Sequence, residues 1–137
     1  MSIIQKELTL QMNGILDFEP TTQDGKGGNP WWLILRCDDE VVRYYLWWIE
    51  KTEGIKLQRP LFGAHISVMR GEEAQQNATL WKEQQDTTCD FRYSHIVETQ
   101  DGFWWLPVES RMLREIRAFY GLSPLPDFGF HLTIGRR

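Results

Sequence analysis

Hydrophobic positions recur along the chain in two periods, and the switches between them mark out the elements. Leu8, Leu10 and Met12 alternate with Thr9, Gln11 and Asn13, the pattern of a strand with one buried face. Residues 17–30 lose any apolar period and are rich in Gly, Pro, Asp and Thr, which predicts a long surface loop. The apolar run 31–37 (WWLILRC) predicts a buried strand. Val41, Val42, Tyr45, Leu46 and Ile49 then repeat at helical spacing. Asp38 is placed to cap that helix, Asp39 and Glu40 sit where carboxylates favour a helix start, and Gly54 suits the stop, so a helix is predicted over 39–52. Tyr44, Trp47 and Trp48 widen its apolar face, as a partner surface or as a helix buried between sheet and loop.

A strand is predicted over 61–69 and a polar, weakly helical connector over 72–86. Phe91, Tyr93, His95 and Val97 alternate with polar neighbours, and Asp101-Gly102 supplies a hairpin turn into a strand over 103–107. Met112, Leu113, Ile116, Phe119 and Tyr120 line one face of a second helix ending at Gly121, and a last strand spans 128–135.

Two of these strands carry the same motif. Pro60-Leu-Phe-Gly-Ala-His-Ile-Ser-Val-Met-Arg70 and Pro126-Asp-Phe-Gly-Phe-His-Leu-Thr-Ile-Gly-Arg136 are identical at five of eleven positions, with three further conservative pairs. Trp31-Trp32-Leu33 recurs upstream as Trp104-Trp105-Leu106. The Trp-to-His interval is 34 residues in the first copy (65 minus 31) and 27 in the second (131 minus 104), a difference of about two helical turns. The duplication predicts two similar lobes sharing a groove. The matching places of the tryptophan pairs mark them as lobe-core residues, one Trp facing the core and its neighbour the opposite layer or the groove.

Strand alternation puts His65 and Ser67 on one face and Ile66 and Val68 on the other, and likewise His131 and Thr133 against Leu132 and Ile134. Two imidazoles across a groove suit phosphodiester cleavage, one accepting a proton from the attacking oxygen and the other donating one to the leaving oxygen. The Ser67 and Thr133 hydroxyls then serve the non-bridging phosphate oxygens. Arg70 and Arg136 are candidate phosphate ligands, although strict alternation gives them the parity of the core residues, so that role requires the strand to end or twist first. Tyr93 and His95 are candidates for holding a base by stacking, with core packing as the alternative. A metal site with His95 as a third ligand is the chemical rival, but the chain has no HxH or HxxxH spacing.

The motifs His65-Ile66-Ser67-Val68 and His131-Leu132-Thr133-Ile134 resemble those of the two-histidine (2H) phosphoesterase superfamily, over roughly residues 31–136. That group includes 2′,5′ RNA ligase-like proteins, cyclic nucleotide phosphodiesterases, RNA-end processing enzymes and phage enzymes that destroy cyclic oligonucleotide signals. The resemblance implies an α+β, bilobal fold: two pseudo-symmetric lobes of antiparallel sheet plus helix around a central groove, as one domain over 1–137 with halves of about 1–70 and 71–137. It also implies catalysis by His65 and His131 without metal or cofactor, on a 2′,3′-cyclic phosphate or on a 2′,5′ or 3′,5′ linkage. Which histidine is the base is left open.

Composition narrows the substrate. With 15 Lys or Arg against 19 Asp or Glu and a net charge of -4, the chain lacks the cationic excess that long nucleic acids require, so a small nucleotide or short oligonucleotide is the expected partner. No apolar stretch approaches membrane-spanning length and Met1–Lys6 lacks a basic, apolar leader pattern, so a cytosolic location without membrane contact is expected. Cys37 and Cys89 have no metal or redox spacing and are expected as free thiols. A module that binds a nucleotide without turning it over is the second functional class; the oligomeric state is open.

Overall fold

A computed structural model describes residues 8–137; the leader reading of Met1–Lys6 lies outside the described residues. In chain order the elements are β1 (Leu10–Phe18), β2 (Trp32–Arg36), α1 (Asp39–Glu53), β3 (His65–Arg70), β4 (Thr88–Tyr93), β5 (Glu98–Gln100), β6 (Phe103–Glu109), α2 (Arg111–Phe119) and β7 (Phe130–Arg136). All strand pairs are antiparallel. The order β4-β1-β2-β3-β7-β6, closed by pairing of β4 with β6 through Arg92 and Tyr93 against Glu109 and Val108, makes a six-stranded barrel, with β5 attached to β6 beside β4. The fold is α+β. Among the described residues no helix is long and apolar enough to cross a membrane.

Local chemistry sets the helix ends. Asp38 caps α1 by accepting from the Glu40 amide at 3.0 Å, and Gly54 closes it in the left-handed region at φ 67°, where glycine has no side chain to strain. Ser110 caps α2 through the Leu113 amide at 3.1 Å and donates its hydroxyl to the Asp90 carbonyl at 2.8 Å, tying the helix to β4. Val41, Val42, Tyr45 and Ile49 of α1, Leu113 and Ile116 of α2, and Tyr120 at the C-cap of α2 join one hydrophobic core with Leu16, Leu33, Leu35, Ile66, Val68, Leu106, Leu132 and Ile134 of the barrel.

Several boundaries differ from the periodic reading. β1 continues through Phe18, because Leu16 and Phe18 keep its apolar alternation into the stretch expected as loop, and both are buried. β3 begins at His65 rather than 61, since Pro60–Gly63 forms a turn closed by the Gly63 amide on the Pro60 carbonyl. The strand expected over 91–97 runs instead over 88–93: Ser94 bonds back to the Ile96 amide and breaks the ladder. The connector holds only a single 3₁₀ turn, Ala78–Leu80. It is pinned by Trp81, whose ring lies 4.8 Å from Phe18 and from Trp31 and 5.2 Å from Tyr120, while its indole N–H donates to Glu19.

Of the Tyr44, Trp47 and Trp48 face of α1, all three side chains are solvent-exposed. Burial of this helix between sheet and loop is therefore confined to its other face.

Candidate active site

The two motif strands lie side by side. β3 and β7 meet at the bridge Ile66↔Leu132, and in an antiparallel pair the residues one step either way then set His65 opposite Thr133 and Ser67 opposite His131. Both histidines and both hydroxyl residues therefore share one face, and the neighbouring strands complete it with Ile34 and Arg36 from β2 and Trp105 and Pro107 from β6. His65 and His131 are diagonal neighbours, about 7 Å apart at the backbone, close enough for the charge of His131 to bear on His65. Ile66, Val68, Leu132 and Ile134 are buried on the opposite face.

A matched pair of irregularities settles the parity of the arginines. In β3 the partners of Leu33 and Ile34 are Met69 and Ser67, leaving Val68 as an extra residue; in β7 the partners of Trp104 and Trp105 are Gly135 and Thr133, leaving Ile134. Each is a β-bulge at the same motif position, and each reverses the alternation beyond it. The burial patterns show the result: from His to Arg both strands read half-buried, buried, half-buried, buried, buried, exposed. Arg70 consequently returns to the histidine face, its guanidinium carbon 5.7 Å from the centre of the Trp32 ring. Arg136, with the same parity, lies across from Phe103 at the far end of β7, its backbone paired with Gln58.

The rings are held alike. His65 Nδ1 lies 2.8 Å from the Gly63 carbonyl and His131 Nδ1 3.3 Å from the Gly129 carbonyl. A carbonyl only accepts, so Nδ1 carries the hydrogen in both rings and Nε2 is left to exchange a proton. Gly63 and Gly129 adopt φ 74° and 68°; the left-handed turn that directs these carbonyls back at the imidazoles is open to glycine without strain.

Burial pushes the His65 pKa below its usual value, with Arg36, Arg70 and His131 adding to the effect against the Gly63 hydrogen bond; burial and Arg70 do the same to His131. In the free protein both rings are expected to titrate below 6.5. As pH falls past that value the unfolded chain takes up protons before the folded one, so stability is undiminished above about 6.5 and declines below it. An NMR titration of the imidazole resonances checks this; a value at or above 6.5 for either ring would contradict it.

Arg70 thus joins the four motif residues, and Ser67, Arg70 and His131 line a cavity of about 270 Å³ together with Phe128 and Gly129. Arg136 is not among the charges that bear on either imidazole. Tyr93 does not reach this face: it pairs with Val108 and packs beside Phe91 against the core, because β4 keeps its odd-numbered residues inward. His95 lies exposed in the bend after β4 with its carbonyl near the Tyr45 hydroxyl. Neither residue is placed to hold a base at the histidines. Trp105, 6.4 Å from His131, Phe62, 6.3 Å from His65, and Phe128, 96% exposed, are the aromatic groups that are.

The tryptophan pairs, in turn, are two residues out of step. Register against the motifs equates Leu33 with Trp104 and Trp32 with Phe103. Trp104 is buried and Trp105 faces the histidines, as one core and one groove residue, whereas Trp31 sits at φ 61° in the turn before β2 and packs on Trp81.

No family model, curated protein or solved structure matches this chain. Among the described residues no cluster of three His, Cys, Asp or Glu has metal-binding geometry. Burial holds the Cys37 thiol at about 12 and the Cys89 thiol at about 11, so neither offers a thiolate near neutral pH. Two tautomerically aligned imidazoles, two hydroxyls and one arginine on a single face can carry out paired proton transfer around an anionic tetrahedral centre.

Proposed function

We propose that the protein is a metal-independent phosphodiesterase of the 2H type, its two motif-bearing halves acting as the lobes of a shared groove and cleaving a small nucleotide phosphodiester by His65/His131 acid-base catalysis. The observation that carries this reading is the antiparallel seating of the two H-x-[S/T] strands at Ile66↔Leu132. It gives each imidazole a hydroxyl residue from the other motif as its cross-strand neighbour.

In the reaction one neutral Nε2 accepts the proton of the attacking oxygen while the other, protonated, supplies the leaving oxygen. Ser67 and Thr133 donate to the non-bridging oxygens, and Arg70 offsets the phosphate charge. Turnover by such a pair is bell-shaped in pH, with the acid limb drawn down by the burial that depresses both imidazoles. The acidic surface balance, net charge -4, favours a small ligand over a long polyanion. Degradation of cyclic oligonucleotide defence signals is one setting in which such an activity would serve, and it rests on the family resemblance.

The test is a screen of purified protein against 2′,3′-cyclic nucleotides, 2′,5′- and 3′,5′-linked oligoadenylates and cyclic oligonucleotides, with EDTA present. Product from at least one class is expected. Loss on chelation with recovery on zinc would replace the two-histidine mechanism by a metal site, and tight binding with unchanged ligand would indicate a sequestering module.

A further inference from the structure

The two halves of the site match in sequence but not in their neighbours. Beside His65 on the adjacent strand stands Arg36; at the corresponding position beside His131 stands Pro107. Arg36 is fixed by Asp17, Nε to Oδ2 at 2.6 Å, and its Nη1 reaches the Phe62 carbonyl at 3.5 Å. Its guanidinium is thereby held along the segment that leads into His65. Space is unequal as well. The cavity of about 270 Å³ is lined by Ser67, Arg70, Phe128 and His131, and His65 is not part of its wall. Phe128 projects into solvent at 96% exposure, whereas its repeat counterpart Phe62 packs edge-on to His65.

We propose that His65 is the general base and His131 the general acid, with the departing nucleoside seated in the cavity against Phe128. This assignment rests on the phosphodiesterase reading above. His65 is faced by Arg36 with its Asp17 partner, by Arg70 and by His131. Two of these groups are fixed cations, and they favour the neutral ring that a base requires. His131 is faced by Arg70, and where His65 has Arg36 on the adjacent strand it has the uncharged Pro107; Asp127 and the Arg117-bound Glu72 line the same cavity wall. With one cation fewer beside it, His131 holds a proton more readily than His65, as an acid requires. A small nucleophile, water or the substrate's own hydroxyl, suits the enclosed His65 side, and a bulky leaving group suits the open His131 side.

The proton balance closes. The attacking oxygen gives its hydrogen to His65 Nε2 as it bonds to phosphorus. The leaving oxygen takes the bonding pair from phosphorus and a proton from His131 Nε2. The pair ends as His65 cationic and His131 neutral, and exchange with solvent restores it.

p-Nitrophenolate departs without a proton, so it separates the two roles. The p-nitrophenyl esters of adenosine 2′- and 3′-phosphate are compared with the 2′,5′- and 3′,5′-linked adenosine dinucleotides. His131→Asn is expected to lose about 100-fold or more on a dinucleotide but to stay within about tenfold of wild type on the nitrophenyl ester, while His65→Asn loses about 100-fold on both. The reverse pattern, or equal losses for both variants, overturns the assignment and leaves two-histidine catalysis standing. Wild-type protein active only on 2′,3′-cyclic phosphates also overturns it, because no nucleoside then departs; wild-type protein inactive on every diester removes the functional reading itself. Arg36 acts through His65 as a positioning residue. Arg36→Gln is expected to move the acid limb of the kcat/KM profile to higher pH and leave the basic limb in place; an unmoved acid limb overturns its part.

Discussion

Replacing His65 or His131 with alanine is expected to lower turnover of the phosphodiester substrate by at least about 10²-fold and up to about 10⁴-fold, the range over which a positioned proton-transfer group contributes. Both rings are only partly buried and lie on the face opposite Ile66 and Leu132. Their removal takes nothing from the hydrophobic core, so the circular dichroism spectrum and melting temperature should stay close to wild type. The double variant should fall little further than the worse single one, because groups that act as a unit are strongly non-additive. Ser67→Ala and Thr133→Val should give smaller losses, as each leaves the proton transfers intact. Full activity in either histidine variant, with folding retained, would end the two-histidine mechanism.

The largest expected effect on stability comes from a residue with no obvious claim to it in the sequence. Arg117 is 2% exposed. Its Nη1 donates to the Val68 carbonyl at 2.8 Å and its Nε to the Ser123 carbonyl at 2.7 Å, and Nη1 and Nη2 grip both oxygens of Glu72 at 2.8 Å. Arg117→Met would strand two carbonyls, a loss of about 1–3 kcal/mol each, and unpair Glu72, whose side chain is 38% exposed and so adds less. For a chain of this size that corresponds to a fall in melting temperature on the order of 10 °C or more. A melt within about 2 °C of wild type would show that the interior there is supported by something else.

The hydrogen bonds from Arg117 hold the Glu72 carboxyl below its usual 4.5 despite partial burial. This contribution is complete above the unfolded carboxylate value and is lost as pH falls through the lower folded one. The variant should therefore be less sensitive than wild type to acid below about pH 4.5. Val68 is also the bulged residue of β3, so loosening Arg117 releases the device that turns Arg70 toward the histidines. A decline in activity beyond the fraction unfolded is expected to accompany the loss of stability.

Much of this molecule was legible in short windows of sequence. Asp38 and Gly54 bound α1 because capping depends on groups within one turn of the helix end. The Asp101-Gly102 turn joins β5 to β6, with Asp101 at φ 52° and Gly102 at φ 82°, because a two-residue hairpin needs such residues. His65 and Ser67 share a face, as do His131 and Thr133, since alternation over three residues is a property of the strand alone. The Phe-Gly-x-His frame carries a signal for Phe62 and Phe128 beside the histidines, since both recur in it, and the more aromatic segment around Tyr93 carries none. That segment is aromatic because it packs in the core.

The sequence by itself determined the elements, the duplicated motif and the four side chains with chemistry to offer, all of which follow from residue type and spacing along ten or so positions. Only the tertiary structure decided that β4 closes a barrel on β6, that Arg70 returns to the histidine face, that Arg36 and Pro107 flank different imidazoles, and that Arg117 is buried. Each of these depends on what lies across a strand boundary. A bulge exists only as a mismatch of count between two strands, and an arginine is stable inside only where distant carbonyls and a carboxylate converge on it. No local period encodes either.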